Sequence, residues 1–463
     1  MVLLQNFLFI NEPSLIYKFA QTDCILFFIF HSISQREFLK YTTMAVTSTT
    51  NRVHANGIHS NGADIDAQFA EQNEMNGFSP ENIPPSEFHE RIQKVQAALE
   101  PANLVGLLAF GDCWRGANIC YFTHFRPLDG VSDIANSLFF LPATGSPALF
   151  VSIQCLSYAQ TISTFPVYTF NDLASHLQKF SAGNSGKLGL AGADYIPADL
   201  LDRVKAALGS VELVETSVLA EIKAVKSERE IALIRKASLL ADAAMAAIRD
   251  TLADGKPHTE RELALIADQA MLAGGAERTA YDSMVQAGPR SAFNLARPTD
   301  RVLQPGDLVM TDIGARYRGY VADGGRGFTY GPASEDKIAI VKAAAAAVEA
   351  GLAEGKAGMT CAELNAVIQR SIVKSGYEEF SSEARGHGTG HGTGMDPEEE
   401  QPWIGPGNKT VLREGMVFTL KATITVPGVG GLRTERIVRV LPEGHESGKG
   451  IEALDQFPME LYW

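Results

Sequence analysis

Residues 303–330 read L-Q-P-G-D-L-V-M-T-D-I-G-A-R-Y-R-G-Y-V-A-D-G-G-R-G-F-T-Y, and the rest of the chain is organised around the two acids they carry, Asp312 and Asp323. Two further ionisable groups follow on the same half of the chain, His391 in T-G-H-G-T-G and Glu435 in L-R-T-E-R. Carboxylates and a histidine brought by strands to one cleft are what divalent cations need. Oxygen ligands neutralise the ions, and an imidazole adds a nitrogen. Lys421, in F-T-L-K-A-T, belongs to the same set of positions and carries the wrong charge.

Five pieces stand in order along the chain: L-Q-P-G-D-L-V-M-T-D-I-G (303–314), G-Y-V-A-D (319–323), H-G-T-G-H-G-T-G (387–394), L-R-E-G-M-V-F-T-L (412–420) and V-P-G-V-G-G-L-R-T-E (426–435). Together they resemble the pita-bread superfamily of creatinase, prolidase, aminopeptidase P and methionine aminopeptidase, over residues 88–440. The resemblance implies an α/β protein. A leader and flexible arm (1–85) precede a smaller mixed α/β amino-terminal domain (86–222), and a pita-bread carboxy-terminal domain with an internal pseudo-repeat follows (223–463).

In the metallopeptidases of that superfamily, Asp, Asp, His, Glu and Glu bind two metal ions. The resemblance places Asp312, Asp323, His391 and Glu435 at four of these positions and Lys421 at the fifth. The family's catalytic histidine falls on Leu295 in G-P-R-S-A-F-N-L-A-R-P-T (288–299), and a further histidine falls on Glu398 in G-M-D-P-E-E-E-Q-P (394–402). His387 matches an extra histidine that some aminopeptidase P proteins carry.

The exchange at Lys421 has a direct electrostatic meaning. An ammonium where a dication would sit repels that dication, so no dinuclear site is expected. Lys421 is expected to pair instead with Asp323, Glu435 or both. Two readings follow. Either one divalent ion (Mn, Fe, Zn or Co) binds at Asp312, Asp323 and Glu435 with His391 beside it, or no cofactor binds and Lys421 replaces the metal. The cofactor-free reading is the main expectation.

The remaining chain sets boundaries on this. A formal net charge of −14 argues against nucleic acid or an anionic membrane as partner. Cys24, Cys113, Cys120, Cys155 and Cys361 are sparse and form no C-x-x-C pair, which suits a reducing, cytoplasmic compartment. The apolar runs V-L-L-Q-N-F-L-F-I and C-I-L-F-F-I-F near the start are each shorter than the roughly 20 residues of a membrane span. S-E-F-H-E-R-I-Q-K-V-Q-A-A-L-E opens the folded part, with Ser86 read as the helix cap. Alternating short apolar runs and helical patterns then give a mixed sheet ending near 220. Ser227 with Glu230 forms a capping box that opens a long helix at the domain junction.

H-F-R-P-L-D-G (124–130) is similar to a creatinase loop on which an Arg binds the substrate carboxylate. Phe125 and Arg126 are therefore substrate-binding candidates, since a guanidinium pairs bidentately with a carboxylate. In that family the loop reaches the neighbouring subunit's site, so this role implies a homodimer. Glu398 and Arg433 complete the substrate-binding candidates.

The acid–base groups are His391, His387, Lys421, Glu435 and Asp323. Crowded carboxylates should raise at least one pKa toward neutrality, and Lys421 can steady a developing anion. The main functional expectation is a non-peptidase enzyme on this scaffold. It would act on a small carboxylated compound by hydrolysing a C–N bond, or as a lyase or cyclase in specialised metabolism. The alternatives are a single-metal Xaa-Pro-type peptidase and a catalytically inactive binding scaffold.

Overall fold

A computed structural model describes residues 82–460 apart from 131, 383 and 385. The expected leader and most of the arm lie outside the described residues. The first helix, α1 (Pro85–Leu99), begins before Ser86. Pro84 is its N-cap and no side chain caps it. The expected Ser86 cap is therefore incorrect: Pro85, whose ring fixes φ near the helical value and whose missing N–H needs no partner, opens the first turn.

The short apolar runs then form β1 (Leu104–Asp112), β2 (Asn136–Pro142), β3 (Ala148–Val151), β4 (Val167–Thr169), β5 (Lys187–Ala191) and β6 (Glu212–Glu215). Between them lie α2 (Ala117–Cys120), α3 (Leu156–Ile162), α4 (Leu173–Ala182) and α5 (Ala198–Leu208). The six strands make one sheet in the order β4-β3-β2-β1-β5-β6. Pairs β1–β2 and β2–β3 are antiparallel, and β3–β4, β1–β5 and β5–β6 are parallel. Strands β1 to β3 are almost wholly buried, because helices cover both faces of a sheet with parallel crossovers.

A short helix α6 (Val218–Lys223) leads to the junction, where Ser227 and Glu230 form the expected capping box of α7 (Glu228–Leu252). The second half of the molecule is built twice from one plan. In the first half α7 and α8 (Glu260–Ala273) precede β7 (Arg278–Thr279), β8 (Met284–Ala287), β9 (Asp307–Ile313), β10 (Ala315–Tyr317), β11 (Tyr320–Val321) and β12 (Gly324–Tyr330). In the second, α9 (Glu335–Glu354) and α10 (Cys361–Lys374) precede β13 (Gly390–Gly392), β14 (Glu399–Ile404), β15 (Val417–Val426), β16 (Gly430–Val440) and β17 (Ile451–Ala453).

The two halves share details. Thr259 and Thr360 each open the second helix of a pair with a capping box, to Glu262 and Glu363. Each of these threonines also makes an isolated β-bridge, to Val302 and to Val411. Those valines begin V-L-Q-P-G-D-L-V-M-T-D (302–312) and V-L-R-E-G-M-V-F-T-L-K (411–421). Gly306 and Gly415 hold the same place in the two turns, both at positive φ (85° and 78°), where a side chain would be strained. The correspondence puts Lys421 at the position that Asp312 occupies in the other half.

Beneath these strands lies Arg326 of β12, a guanidinium only 1% exposed. It donates to Asp455 Oδ1 at 2.6 Å, to the Phe457 carbonyl at 2.9 Å, to the Pro458 carbonyl at 3.1 Å and to the Glu435 carbonyl. This one side chain ties the residues after β17 to β12 and β16.

Candidate active site

Strand register decides which side chains meet. Asp312 stands near the end of β9, and Asp323 lies in the link from β11 to β12. On β15 and β16, Lys421 and Glu435 are directly cross-strand, so their side chains share a face. His391 lies on β13, which pairs with β15.

Asp323, His391 and Glu435 converge. One donor atom from each lies within 4.8 Å of the others, and all three residues are buried. His391 Nε2 is 3.5 Å from Asp323 Oδ2 and 3.7 Å from Glu435 Oε1. The other ring nitrogen, Nδ1, lies 3.2 Å from the Gly392 carbonyl and donates to it, which leaves the Nε2 lone pair aimed into the cluster. Burial and the nearby Lys421 ammonium push the His391 pKa down, so the ring is neutral, as a ligand must be.

Asp312 is fully committed. Its Oδ2 accepts from Arg433 Nη1, and its Oδ1 accepts from the Tyr281 hydroxyl at 2.7 Å. Tyr281 Oη is also 2.7 Å from Asp323 Oδ1. A phenol has one proton and cannot serve both acids alone, so a second proton is shared within this trio. Asp323 is the group that keeps it: burial, then Glu435 and Asp312 close by, push its carboxyl far above the usual carboxylate range. Burial likewise raises Asp312, against the pull of Arg433. Burial works to raise Glu435 too, but Lys421 and Arg433 outweigh it and hold that carboxyl low.

Glu435 shows what is missing from this arrangement. It is fully buried, and among the described residues neither carboxylate oxygen has a partner at full hydrogen-bond geometry, although the Thr419 hydroxyl is near enough to help hold its pKa low. Lys421 Nζ stands 3.6 Å from Oε1 and Arg433 Nη1 3.8 Å from Oε2, beyond hydrogen-bonding distance. An ionised buried carboxylate without hydrogen bonds is costly unless a cation satisfies it. Two carboxylates and a neutral imidazole, one of them with two orphaned oxygens, fit one divalent ion.

The expected site residues fall in different surroundings. The donor atoms that lie together are those of Asp323, His391 and Glu435, whereas Asp312 is bonded to Arg433 and Tyr281. Arg433, expected to bind substrate, is spent on Asp312 and on Asn294 Oδ1 at 2.8 Å. His387 is exposed and lies outside the cluster, and its backbone N–H donates to the Ser382 carbonyl. Phe125 is 1% exposed, within the amino-terminal core. Arg126 forms a two-point pair with Glu277 of its own chain, Nη2 to Oε1 at 2.8 Å and Nη1 to Oε2, which occupies the fork meant for a substrate carboxylate. Glu398 lies at the cluster's edge, with Oε1 3.6 Å from His391 Nε2 and a side chain 77% exposed. Leu295 is 64% exposed.

Tyr281 and Asn294 were not anticipated. Both are neutral residues in loops, and only their tertiary partners give them a role. Asn294 adjoins Leu295 in a segment already compared with the family, which was the one signal available.

Residues 232–442 match the family model of metallopeptidase family M24, and residues 91–225 match that of the creatinase/prolidase N-terminal domain. Over 358 residues the chain is 28% identical to the Xaa-Pro dipeptidase of Pyrococcus horikoshii, covering 77% of this chain and 95% of that one. The crystal structure of the prolidase from Pyrococcus horikoshii OT3 superposes with a TM-score of 0.68 at 27% identity, covering 80% of this chain and 99% of that chain. The Xaa-Pro dipeptidase structure from Bacillus anthracis gives 0.69 at 26% identity, covering 81% and 99%. Similarity across most of the chain to Xaa-Pro dipeptidases overturns the expectation of a non-peptidase enzyme. The metallopeptidase model, together with the buried Asp323–His391–Glu435 group, overturns the expectation of a site without a cofactor. Lys421 removes one ligand position but leaves three ligands that fit an ion. Among the described residues, no helix is long and apolar enough to cross a membrane.

Proposed function

The chain belongs to the creatinase, prolidase and aminopeptidase P superfamily, and on that premise we propose that it is a metal-dependent peptidase of the Xaa-Pro type, with a mononuclear site at Asp323, His391 and Glu435. The observation that carries this reading is the buried, unbonded carboxylate of Glu435 facing His391 and Asp323.

A divalent ion bound there supplies Lewis-acid polarisation of the scissile amide carbonyl. The chain's own groups shape the surroundings of that carbonyl. Asp323 would release its retained proton to solvent in order to serve as a ligand. Lys421, on the same face as Glu435, offers an ammonium to the oxygen that gains negative charge as the amide is attacked. Arg433, held by Asp312 and Asn294, keeps β9, β16 and the loop before Arg297 in one geometry. Tyr281 fixes the separation of Asp312 and Asp323. Phe293 and Leu295, both more than half exposed, flank Asn294 on its loop and are the apolar groups there that a pyrrolidine ring could meet.

The test is release of free proline from Gly-Pro, Ala-Pro and Met-Pro by the protein reconstituted with Mn2+ or Co2+. The expected result is turnover that EDTA abolishes and that Asp323→Asn lacks. No proline release with any of these ions would refute the reading.

A further inference from the structure

The turn from β13 into the first residue of β14 holds three acids, Asp396, Glu398 and Glu399, whose surroundings differ sharply. Asp396 is buried and accepts the backbone N–H groups of Gly116 and Ala117, each at 3.1 Å. Glu399 is buried against Lys226 Nζ at 2.6 Å and accepts the Met395 N–H at 2.9 Å. These two anchors fix the turn from both sides. Glu398, between them, makes no hydrogen bond among the described residues, is 77% exposed, and has Oε1 3.6 Å from His391 Nε2. An acid on a fixed turn, with a free side chain beside a buried ligand cluster, is placed to close over whatever binds there.

Charge gives a second argument. Asp312, Asp323, Glu435 and Glu398 stand against Lys421 and Arg433. When all four acids are ionised, two negative charges remain, the charge of one divalent ion. The donors also need completing. Asp323, His391 and Glu435 offer three ligands, and the cross-strand neighbour of Glu435 is an ammonium that cannot coordinate.

We propose that Glu398 is the fourth protein ligand of a single divalent cation at Asp323, His391 and Glu435, supplying from the β13–β14 turn the carboxylate that Lys421 denies to β15. This rests on the mononuclear reading above. It makes the donor set three carboxylates and one imidazole, which favours a hard oxygen-preferring ion such as Mn2+ over a softer one. It also makes the last ligand the exposed one, so the ion enters and leaves past Glu398 while the three buried donors stay in place.

The experiment is Mn2+ titration of the chelator-stripped full chain by calorimetry, with the Mn2+ electron paramagnetic resonance signal recorded alongside. Wild type, Glu398→Gln and Asp323→Asn are compared, with circular dichroism to verify folding. Wild type is expected to bind one equivalent. Glu398→Gln is expected to bind one equivalent about tenfold or more weakly, with an altered resonance signal and faster release of the ion to chelator. Asp323→Asn is expected to lose binding. Unchanged affinity, signal and release rate in Glu398→Gln, with wild type still binding one Mn2+, would overturn the role of Glu398 and leave the mononuclear peptidase standing. No binding by wild type of Mn2+, Co2+ or Zn2+ would overturn the metal-dependent reading itself.

Discussion

Replacing Lys421 with methionine removes a charge while keeping most of the side-chain volume. Its Nζ lies 3.6 Å from Glu435 Oε1; the Glu435 side chain is fully buried and that of Lys421 is 15% exposed. With an effective dielectric constant near 20, two unit charges at that distance attract by about 4–5 kcal/mol. Desolvation of the ammonium cancels part of this, and Arg433 still stands 3.8 Å from Oε2 in the variant. The expected net loss is about 2 kcal/mol in metal-free protein, measured by urea unfolding in EDTA at neutral pH. Mn2+ should restore that loss, because the ion takes over neutralisation of Glu435, and Mn2+ affinity should rise because a cation next to it has gone. The pH dependence has a defined sign. Lys421 and Arg433 hold the Glu435 pKa below its ordinary value. The stability that depends on the ionised carboxylate is therefore present above the ordinary Glu pKa of about 4.3 and is lost as pH falls through the lower native value. The gap between wild type and Lys421→Met should narrow as the medium is acidified below about pH 4. A variant as stable as wild type in EDTA, or one that binds Mn2+ more weakly, would refute the argument.

Two further outcomes follow from buried charges elsewhere. Arg326→Met leaves several carbonyls without a donor and Asp455 with Arg436 as its remaining cation, and should cost about 2–4 kcal/mol in urea unfolding, with faster amide exchange at residues 455–458; a loss below about 1 kcal/mol would contradict the anchoring role. Burial pushes Asp396 up to about 6, against the opposing charges of Arg316 and Lys223. A raised native pKa means that the contribution of Asp396 is full below the ordinary Asp range and declines as pH rises to about 6. The wild-type minus Asp396→Asn stability difference should fall by no more than about 3 kcal/mol across that window, and a flat difference would count against it.

The fold was legible because it rests on local patterns that a single chain displays. The strands around Asp312 and Glu435, the Ser227–Glu230 box and the helix pairs all announce themselves locally. The site was legible only for its charged members. Asp323, His391 and Glu435 could be named from their motifs, but the withdrawal of Asp312 from them could not, because Arg433 and Tyr281 reach it from residues far away in sequence. The partner of Arg126 was hidden for the same reason: the guanidinium has the right shape for a substrate carboxylate, and in this chain Glu277, 151 residues later, pairs with it. His387 shows the limit of spacing arguments. Four positions before His391, it lies beyond the short β13 and faces solvent. Ser86 shows that a good capping residue loses to a proline already holding the helical angle.

The anchoring of Arg326 also sets an order of events. A chain leaves the ribosome amino-terminus first, and its domains fold as they emerge. Strands β12 and β16, which flank the site, stand over a buried guanidinium whose partners are Asp455, Phe457 and Pro458. Until those residues emerge, the cation beneath Glu435 has no counter-charge from Asp455, and the site is not settled. A chain cut short before residue 455 would leave Arg326 without these partners, buried between the two strands that flank Asp323 and Glu435.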